Sequence, residues 1–412
     1  MLVLDRWQEI FETLRRNKMR TALTGLSVAW GIFMLIMLLG MGAGLQNQVQ
    51  SNFADDAVNS IWIRPGRTSI PYAGLKPGRK VRFTNDDFEA LRKIPGVEHV
   101  SGRFYMYGAS YTVNHGAKSG SFDVRSVHPG HQYLEKTIIT SGRYINEKDI
   151  EERRKVAVIG AAIDEFFFGE SGEDPIGKSL RVRGIHYKIV GVFIDEGGEG
   201  ELQKIILPIT TAQRAYSAHG QLHHLLFTVG DASVEDSERI QAEVEAMLAK
   251  RHKFSPDDPR AIRVRNNLTE FHKISQIFYV INIFLWVVGI GTITASVVGV
   301  SNILLISVAE RTVEIGVRKA LGATPTSIVL MILKESLLVT AVAGYLGLIA
   351  GIGLLEFLSS VISDNDYIRN PQVDLSVAIG AVVLLVVSGM LAGFIPARRA
   401  ASINPIAALR NE

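Results

Sequence analysis

Residues 275–309 have the sequence SQIFYVINIFLWVVGIGTITASVVGVSNILLISVA, which contains no charged side chain. A run of ~18 or more apolar residues is long enough to cross a bilayer as a helix. Three further uncharged runs of sufficient length occur at residues 21–54, 336–355 and 375–397. The sequence therefore predicts four transmembrane helices. It excludes a purely soluble enzyme, a disordered chain and a fibrous protein.

A long segment of mixed composition, residues 46–274, separates the first two apolar runs. Its short apolar strands alternate with helix patterns, which is typical of an α/β domain. The predicted fold class is an α-helical membrane protein with four transmembrane helices and a large α/β extracytoplasmic domain inserted between helices 1 and 2. Strand–helix–strand units at both ends of the insert suggest two subdomains, 46–117 with 221–270 and 118–220.

These patterns divide the whole chain into nine successive segments. They are an amphipathic interfacial helix, the first membrane helix, the insert, a stalk end with the second helix, a cytoplasmic loop, the third helix, a short extracytoplasmic loop, the fourth helix and a tail, at residues 1–20, 21–45, 46–274, 275–309, 310–335, 336–356, 357–374, 375–397 and 398–412. No helix breaker separates the end of the insert from the second membrane helix, which predicts a continuous helical stalk.

Lys and Arg are concentrated in segments on one predicted side of the membrane. The first 20 residues carry five, the loop 310–335 carries four and the tail 398–412 carries three, whereas the loop 357–374 carries one. Cytoplasmic segments are enriched in Lys and Arg. Both termini are therefore predicted to be cytoplasmic and the insert extracytoplasmic, in a multi-pass membrane protein.

The predicted membrane helices contain no central charge, which disfavours a proton-coupled transporter because proton relays need ionisable groups in the membrane. They contain small residues one turn apart instead, at Gly40 and Gly44 and at Gly347 and Gly351. Small residues allow helices to approach closely. The sequence favours packing within one subunit at these positions and leaves packing between subunits open.

Several chemistries are excluded or disfavoured. The chain has no Cys, which excludes disulfides and thiolate sites, and its net charge of +3 is too small to indicate nucleic-acid binding. Gly172-Glu-Asp-Pro-Ile-Gly-Lys-Ser179 matches a phosphate-loop pattern, but the predicted flanks are a helix before and a strand after, the reverse of a nucleotide site. The pairs His128/His131 and His223/His224 are interpreted as surface histidines. We therefore predict no catalytic, cofactor-binding or metal-binding residue on this chain.

The loop after the second membrane helix is Glu310-Arg-Thr-Val-Glu-Ile-Gly-Val-Arg-Lys-Ala-Leu-Gly-Ala-Thr-Pro325. It predicts a short amphipathic helix whose apolar face holds Val313, Val317, Ala320 and Leu321. Gly322 suits the C-terminal cap, and Pro325 stops the helix from continuing. Such a helix can lie on lipid headgroups or dock into a groove of a cytosolic partner.

This loop resembles the coupling loop of the macrolide-exporter class of ABC permeases, a family that includes lipoprotein-releasing and FtsX-like proteins. The tail from Gly393 to Arg410 resembles the C-terminal signature of that family, and the residues from Asn17 are similar to its entry into the first helix. The residues of this chain that match the coupling loop, and that the resemblance implies contact the ATPase, are Glu310, Arg311, Glu314, Ile315, Gly316, Arg318, Lys319, Leu321 and Gly322. The C-terminal signature residues are Pro396, Arg398, Arg399 and Pro405.

The resemblance implies a permease of the bacterial inner membrane whose insert is periplasmic. It also implies that the permease is a dimer, formed with a second copy or with a similar chain. A cytosolic ATPase, which carries ATP and Mg, is expected to bind the coupling loop. It is expected to be a separate chain, because only 20 residues precede the first helix. Its closure would move the extracytoplasmic domain by mechanotransmission and drive substrate efflux or extraction. A periplasmic adaptor and an outer-membrane channel are the further partners implied.

Two alternatives remain open. The same motion could activate an extracytoplasmic cell-wall hydrolase, which would make the chain a signal transducer, or it could release lipoproteins. The large insert favours transport, because the division-type regulators resemble a smaller extracytoplasmic design.

Overall fold

A computed structural model gives the fold of the chain. It describes residues 18–51, 56–106, 111–195, 199–218, 220–362 and 375–405. Most of the predicted interfacial helix at 1–20, much of the loop 357–374, and Arg410 lie outside the described residues. The described chain forms two compact units, one within residues 1–49 and 277–412 and the other within 50–276. We call the first the membrane unit and the second the insert.

The membrane unit contains four long helices and one short helix. They are α1, α9, α10, α11 and α12, at Lys18–Ser51, Asn267–Glu310, Thr312–Ala320, Pro325–Ile362 and Leu375–Ser402. All except α10 are long and apolar enough to cross a membrane. With the α/β insert between α1 and α9, this architecture confirms the predicted fold class.

All four long helices extend beyond the predicted membrane segments. The stalk and second membrane helix form one helix, α9, of 44 residues. The third helix begins at Pro325, so residues 325–335 are helical rather than part of the predicted loop 310–335. Proline fits the first position of a helix because its missing N–H is not needed there. The longer α11 consequently includes Lys334 and a buried Glu335.

Small residues bring α1 and α11 together within the membrane unit. A Cβ atom at Gly347 would collide with the carbonyl oxygen of Ala29, and one at Gly351 would contact Ile36. Gly40 of α1 similarly faces Leu355 of α11. The glycine pattern therefore serves packing within this chain, as the sequence favoured.

The described part of the insert contains one mixed sheet of eleven strands and a small sheet in which β2 pairs with β11. Its strands β1 to β13 are Ser60–Pro65, Phe83–Thr84, Val100–Phe104, Tyr111–His115, Lys118–Val127, Ile138–Gly142, Val156–Gly160, Ser179–Val182, Ile185–Ile194, Lys204–Pro208, Gln221–Leu222, His224–Thr228 and Ile262–Asn266. Eleven of them follow the order β10-β7-β9-β8-β4-β5-β3-β12-β1-β13, with β6 on β9. Because β10 also pairs with β5, six strands close into a ring.

The helices of the insert are mostly short. Helices α2 to α8 are Asn85–Leu91, His131–Leu134, Glu147–Glu151, Ala161–Asp164, Glu199–Leu202, Ile209–Ala215 and Val234–His252. Thr84 caps α2 at its N-terminus, and Asp87 completes a capping box. Asp87 also accepts hydrogen bonds from Arg251 and His252. Burial raises the pKa of Asp87, but the hydrogen bonds from His252, Arg251 and Thr84 outweigh burial and lower it to about 2.

The predicted boundary between two subdomains falls at residues 117/118, between β4 and β5. Those strands pair as neighbours in the ring, with Val113 opposite Gly120. A single hydrophobic core also includes side chains from both predicted parts, such as Ile61 and Ile189. The chain 50–276 is accordingly one compact unit in the structure.

Candidate functional site

The short helix α10 connects the second and third membrane helices. Only Arg311 separates it from α9, and Leu321 to Thr324 separate it from α11. Gly322 has φ +98°, a backbone conformation that residues with a Cβ rarely adopt. Gly322 N–H donates to the Lys319 carbonyl, and Ala323 N–H donates to the Arg318 carbonyl. This Schellman motif confirms the predicted glycine cap.

The inner face of α10 packs against the membrane helices. Ile315 is 1% exposed and lies in a hydrophobic cluster. Its other fully buried members come from α9, α11 and α12, and they are Val308, Ile328, Ile332, Ala397 and Ala400. One side chain therefore joins α10 to three other helices. Burying a side chain of this size contributes about 1.5–3 kcal/mol.

Two charged side chains add polar anchors on either side of Ile315. The guanidinium group of Arg311 donates to the carboxylate of Glu335 in α11 at 3.3 Å. The ammonium group of Lys319 donates to the carbonyl oxygens of Ala401 at 2.8 Å and Ile403 at 2.5 Å. Carbonyls at the end of a helix lack partners within the helix and carry partial negative charge. Lys319 therefore caps the C-terminal end of α12.

The outer face of α10 is apolar and exposed. Val313, Val317 and Leu321 are 47%, 41% and 83% exposed, and we call these three residues the outer stripe. Glu314 and Arg318 form an ion pair of 2.9 Å beside the stripe. An apolar stripe flanked by charges on a short helix suits docking into a groove.

The nine predicted coupling residues differ in their exposure. Ile315, Gly316, Arg311 and Lys319 are turned towards the other helices of the chain, and Arg318 is partly buried. The exposed residues are Glu310, Glu314, Leu321 and Gly322. Their contact with an ATPase stays a prediction. Among the C-terminal signature residues, Pro396 is buried within α12, whereas Arg398 and Arg399 are exposed and Pro405 is partly buried.

The inner face of α10 and its partner Glu335 were not predicted from the sequence. Arg311 and Lys319 were predicted only as ATPase-coupling residues, whereas in the structure both contact other helices of the chain. The missed signal is their spacing: Arg311, Ile315 and Lys319 recur every four residues and therefore share one face of a helix. Nothing in the local pattern identified Glu335, because its partner lies 24 positions earlier in the chain.

The residues of the phosphate-loop pattern lead into strand β8. Lys178 pairs with Glu173 at 2.6 Å, and Ser179 begins strand β8 rather than a helix. A phosphate loop needs the amides of a helix N-terminus directed at the phosphates. The structure places a surface turn there, as the sequence indicated.

The histidine pair His128 and His131 is buried, so the prediction of surface histidines is wrong for both. His128 stacks on Phe88 with ring centroids 3.7 Å apart, and its Nδ1 accepts from the Gly102 N–H. The contacts of His128 could not be predicted from the local pattern, because Phe88 lies in α2 and Gly102 in β3, both distant along the chain. Among the described residues, no group of His, Asp and Glu could hold a metal ion.

Glu135 is the centre of a buried ionic cluster on one face of the sheet. Its carboxylate accepts from Arg103 and, at 2.6 Å, from Arg125. Burial raises the pKa of Glu135, but His131 and the two guanidinium groups hold it well below the usual range. Lys204 pairs with Glu201 nearby, and burial lowers the pKa of Lys204 to about 8. These charges compensate one another, which makes the cluster structural.

These features define a class: a membrane protein with four spanning helices, an α/β domain inserted after the first, and a short packed helix between the second and third. Two family models match the chain, a MacB-like periplasmic core domain at residues 21–247 and an FtsX-like permease C-terminal domain at residues 286–405. The chain belongs to this MacB-like family of ABC permeases.

Relatives align over nearly the whole chain. The macrolide export ATP-binding/permease protein MacB of Chlorobaculum tepidum is 29% identical over 409 residues, which cover 98% of this chain and 61% of that protein. The pyoverdine export ATP-binding/permease protein PvdT of Pseudomonas entomophila is 26% identical, over 100% of this chain and 60% of that protein. The chain thus spans about three fifths of the length of these relatives.

A solved structure also resembles part of the chain. The periplasmic region of MacB from Actinobacillus actinomycetemcomitans aligns with a TM-score of 0.43 and 17% identity, covering 54% of this chain and 96% of that one.

Proposed function

We propose that this chain is the permease part of an ABC exporter and that an ATP-binding subunit docks on the outer stripe of α10. The proposal rests on one observation. The helix exposes Val313, Val317 and Leu321 outwards, while Ile315, Arg311 and Lys319 fix its inner face to α11 and α12. A push on the outer stripe would therefore act on two membrane helices together.

The long helix α9 offers a path from α10 to the insert. It begins at Asn267, directly after β13, and ends at Glu310, directly before α10. At ~1.5 Å per residue it is ~66 Å long. Within the insert, the Asn267 side chain is 1% exposed and donates to Ser60 of β1 at 2.9 Å. These contacts support mechanotransmission, in which ATP-driven motion at α10 moves the insert.

The substrate is proposed only as a class. The names of the relatives join export with macrolides in one case and pyoverdine in the other, so they support export and differ in cargo. We propose that this chain works as a dimer in the bacterial inner membrane, with its termini cytoplasmic and its insert periplasmic. A periplasmic adaptor and an outer-membrane channel would receive the substrate.

ATP and Mg are proposed to bind the partner subunit rather than this chain. The phosphate-loop pattern at 172–179 leads into a strand, and its lysine is paired with Glu173. The chain would therefore contribute no catalytic group to ATP hydrolysis.

The test is a tagged purification of the full chain from its native membrane, with mass spectrometry of the proteins that copurify. The variant Val313→Asp/Val317→Asp should lose the ATP-binding subunit, because a groove that accepts an apolar stripe rejects two carboxylates. Thr326→Asp is the matched control, since Thr326 is exposed at the start of α11 and lies outside the stripe. Retention of the subunit by the double variant, or its equal loss in the control, would refute the docking site.

A further inference from the structure

A basic loop projects from the insert between β1 and β2. Residues 64–82 contain six Lys and Arg and no Asp or Glu. Residues 71–78 are exposed throughout, with Tyr72 and Leu75 at 42% and 37%. The loop is nevertheless held in place, because Asp258 accepts hydrogen bonds from the Ser69 N–H and hydroxyl and from the Ile70 N–H.

Three cations of this region lie side by side across extended segments. The Arg67 N–H donates to the Arg260 carbonyl at 3.0 Å, and Arg67 also forms an isolated antiparallel bridge with Lys80. We call Lys80, Arg67 and Arg260 the basic row. A second like-charged pair, Arg64 opposite Arg263, precedes it on β1 and β13. Like charges directly opposite each other across strands repel.

No side chain of the row forms an ion pair in the part of the chain that the structure describes. The Arg67 guanidinium donates to the Gly78 carbonyl oxygen at 3.5 Å, and neither Lys80 nor Arg260 forms an ion pair there. Asp258 is buried in this region, and its carboxylate accepts from backbone and hydroxyl donors, including the Arg260 N–H. Asp257 is exposed and pairs with none of the three. The three exposed cations are therefore available to acidic groups of another molecule.

We propose that the basic row binds an acidic segment of a partner protein. Neighbouring strands lie ~4.8 Å apart, so the row spans about 10 Å, more than one carboxylate covers. The exposed Tyr72 and Leu75 pair with each other further along the same loop and add apolar contact area, which suits a protein surface better than a free anion. This surface is distinct from α10, and the inference goes beyond the proposed coupling function.

The test measures binding of a fluorescent peptide of about ten glutamates to the full chain in nanodiscs, an extended peptide of that length being long enough to cross the row. The variant Arg67→Gln/Lys80→Gln/Arg260→Gln removes the row. The control Lys148→Gln/Lys155→Gln/Lys250→Gln removes the same charge from three exposed lysines elsewhere on the insert, none of which forms an ion pair among the described residues. Lys80→Gln alone serves if the triple variant does not fold.

We expect the row variant to weaken peptide binding at least about tenfold and the control to change it less than about twofold, with binding lost as salt is raised to about 0.3 M. Absence of binding to the unaltered chain would overturn the proposal, as would equal weakening by both triple variants. Binding of phosphatidylglycerol vesicles through the row without peptide binding would also overturn it and would assign the row to an anionic bilayer.

Discussion

The ammonium group of Lys319 in α10 lies 2.8 Å from the carbonyl oxygen of Ala401 at the end of α12. A second carbonyl, that of Ile403, accepts from the same group. A helix between the second and third membrane helices is thereby bound to the end of the fourth. Lys319 lies on the inner face of α10, away from the outer stripe. A substitution at Lys319 therefore tests transmission through the inner face separately from docking on the outer stripe.

Lys319→Met should preserve docking and impair transmission. The outer stripe is unchanged, so we expect the ATP-binding subunit to copurify at the level of the unaltered chain. The carbonyls at the end of α12 lose a charged donor worth about 1.5–3 kcal/mol, and substrate-dependent ATP hydrolysis should fall. Lys334→Met, on an exposed lysine of α11, is the control. Loss of the ATP-binding subunit from Lys319→Met would show that Lys319 acts in docking.

Charge reversal on the rim of the outer stripe should prevent docking. Glu314→Lys with Arg318→Glu keeps an i, i+4 ion pair, although in the less favourable orientation, so α10 should stay folded. The field seen by a docked partner is reversed, and like charges across an interface disfavour association. We expect the ATP-binding subunit to be lost in copurification while proteolysis of the insert is unchanged. Unaltered copurification would mean that these charges do not face the partner.

Lys178→Ala should leave ATP hydrolysis by the complete transporter unchanged. Lys178 belongs to a surface turn and pairs with the exposed Glu173. A lysine of a true phosphate loop contacts phosphate directly, so its removal would abolish hydrolysis. Hydrolysis by purified complexes that differ only at this position decides between the two, and a large loss would restore the phosphate-loop interpretation.

The sequence was sufficient for the architecture because long uncharged runs have few alternative structures. The four helices, the insert and the glycine cap at Gly322 all follow from local patterns. The closed ring did not follow, because β10 pairs with β5, and Lys204 lies opposite Asp123 far along the chain. Pairings between distant strands leave no mark in either strand alone.

The candidate site was predicted in position but not in detail. The loop at 310–325 and its apolar stripe were evident from periodicity and from the family resemblance. The inward role of Arg311 and Lys319 depends on Glu335 and on the carbonyls of α12, which lie on other helices. Buried His128 was missed for the same reason, since Phe88 and Gly102 are brought to it only by the fold.

Acidification should destabilise the insert through His128. Burial lowers its pKa from 6.5 to about 3, so below pH 6.5 the unfolded chain binds a proton that the folded chain does not. The stability that depends on neutral His128 is therefore fully present above pH 6.5 and is lost progressively as the pH falls towards 3. At pH 5 the loss from this residue is on the order of 2 kcal/mol.

His128→Asn tests this assignment, because its amide oxygen can still accept from the Gly102 N–H but does not titrate. Hydrogen exchange at β3, corrected for intrinsic rates, should depend less on pH in the variant than in the unaltered chain. The variant loses the stacking on Phe88 and should be less stable at pH 7.5, which serves as an internal check. An unchanged pH dependence would assign the acid sensitivity to other groups.

Gly347→Ala should destabilise the membrane unit by disturbing packing within the chain. A Cβ at Gly347 would meet the backbone carbonyl of Ala29, and backbone cannot move aside as a flexible side chain can. Overpacking of this kind typically costs about 1–3 kcal/mol.

Gly353→Ala in the same helix is the matched control, since a Cβ there meets nothing within 4 Å. The control should be neutral or stabilising by up to about 1 kcal/mol, because alanine favours helix more than glycine does. Thermal unfolding of both variants in detergent, with size determination in parallel, gives the answer. If Gly347→Ala instead left unfolding unchanged and dissociated an oligomer, the glycine would serve packing between subunits.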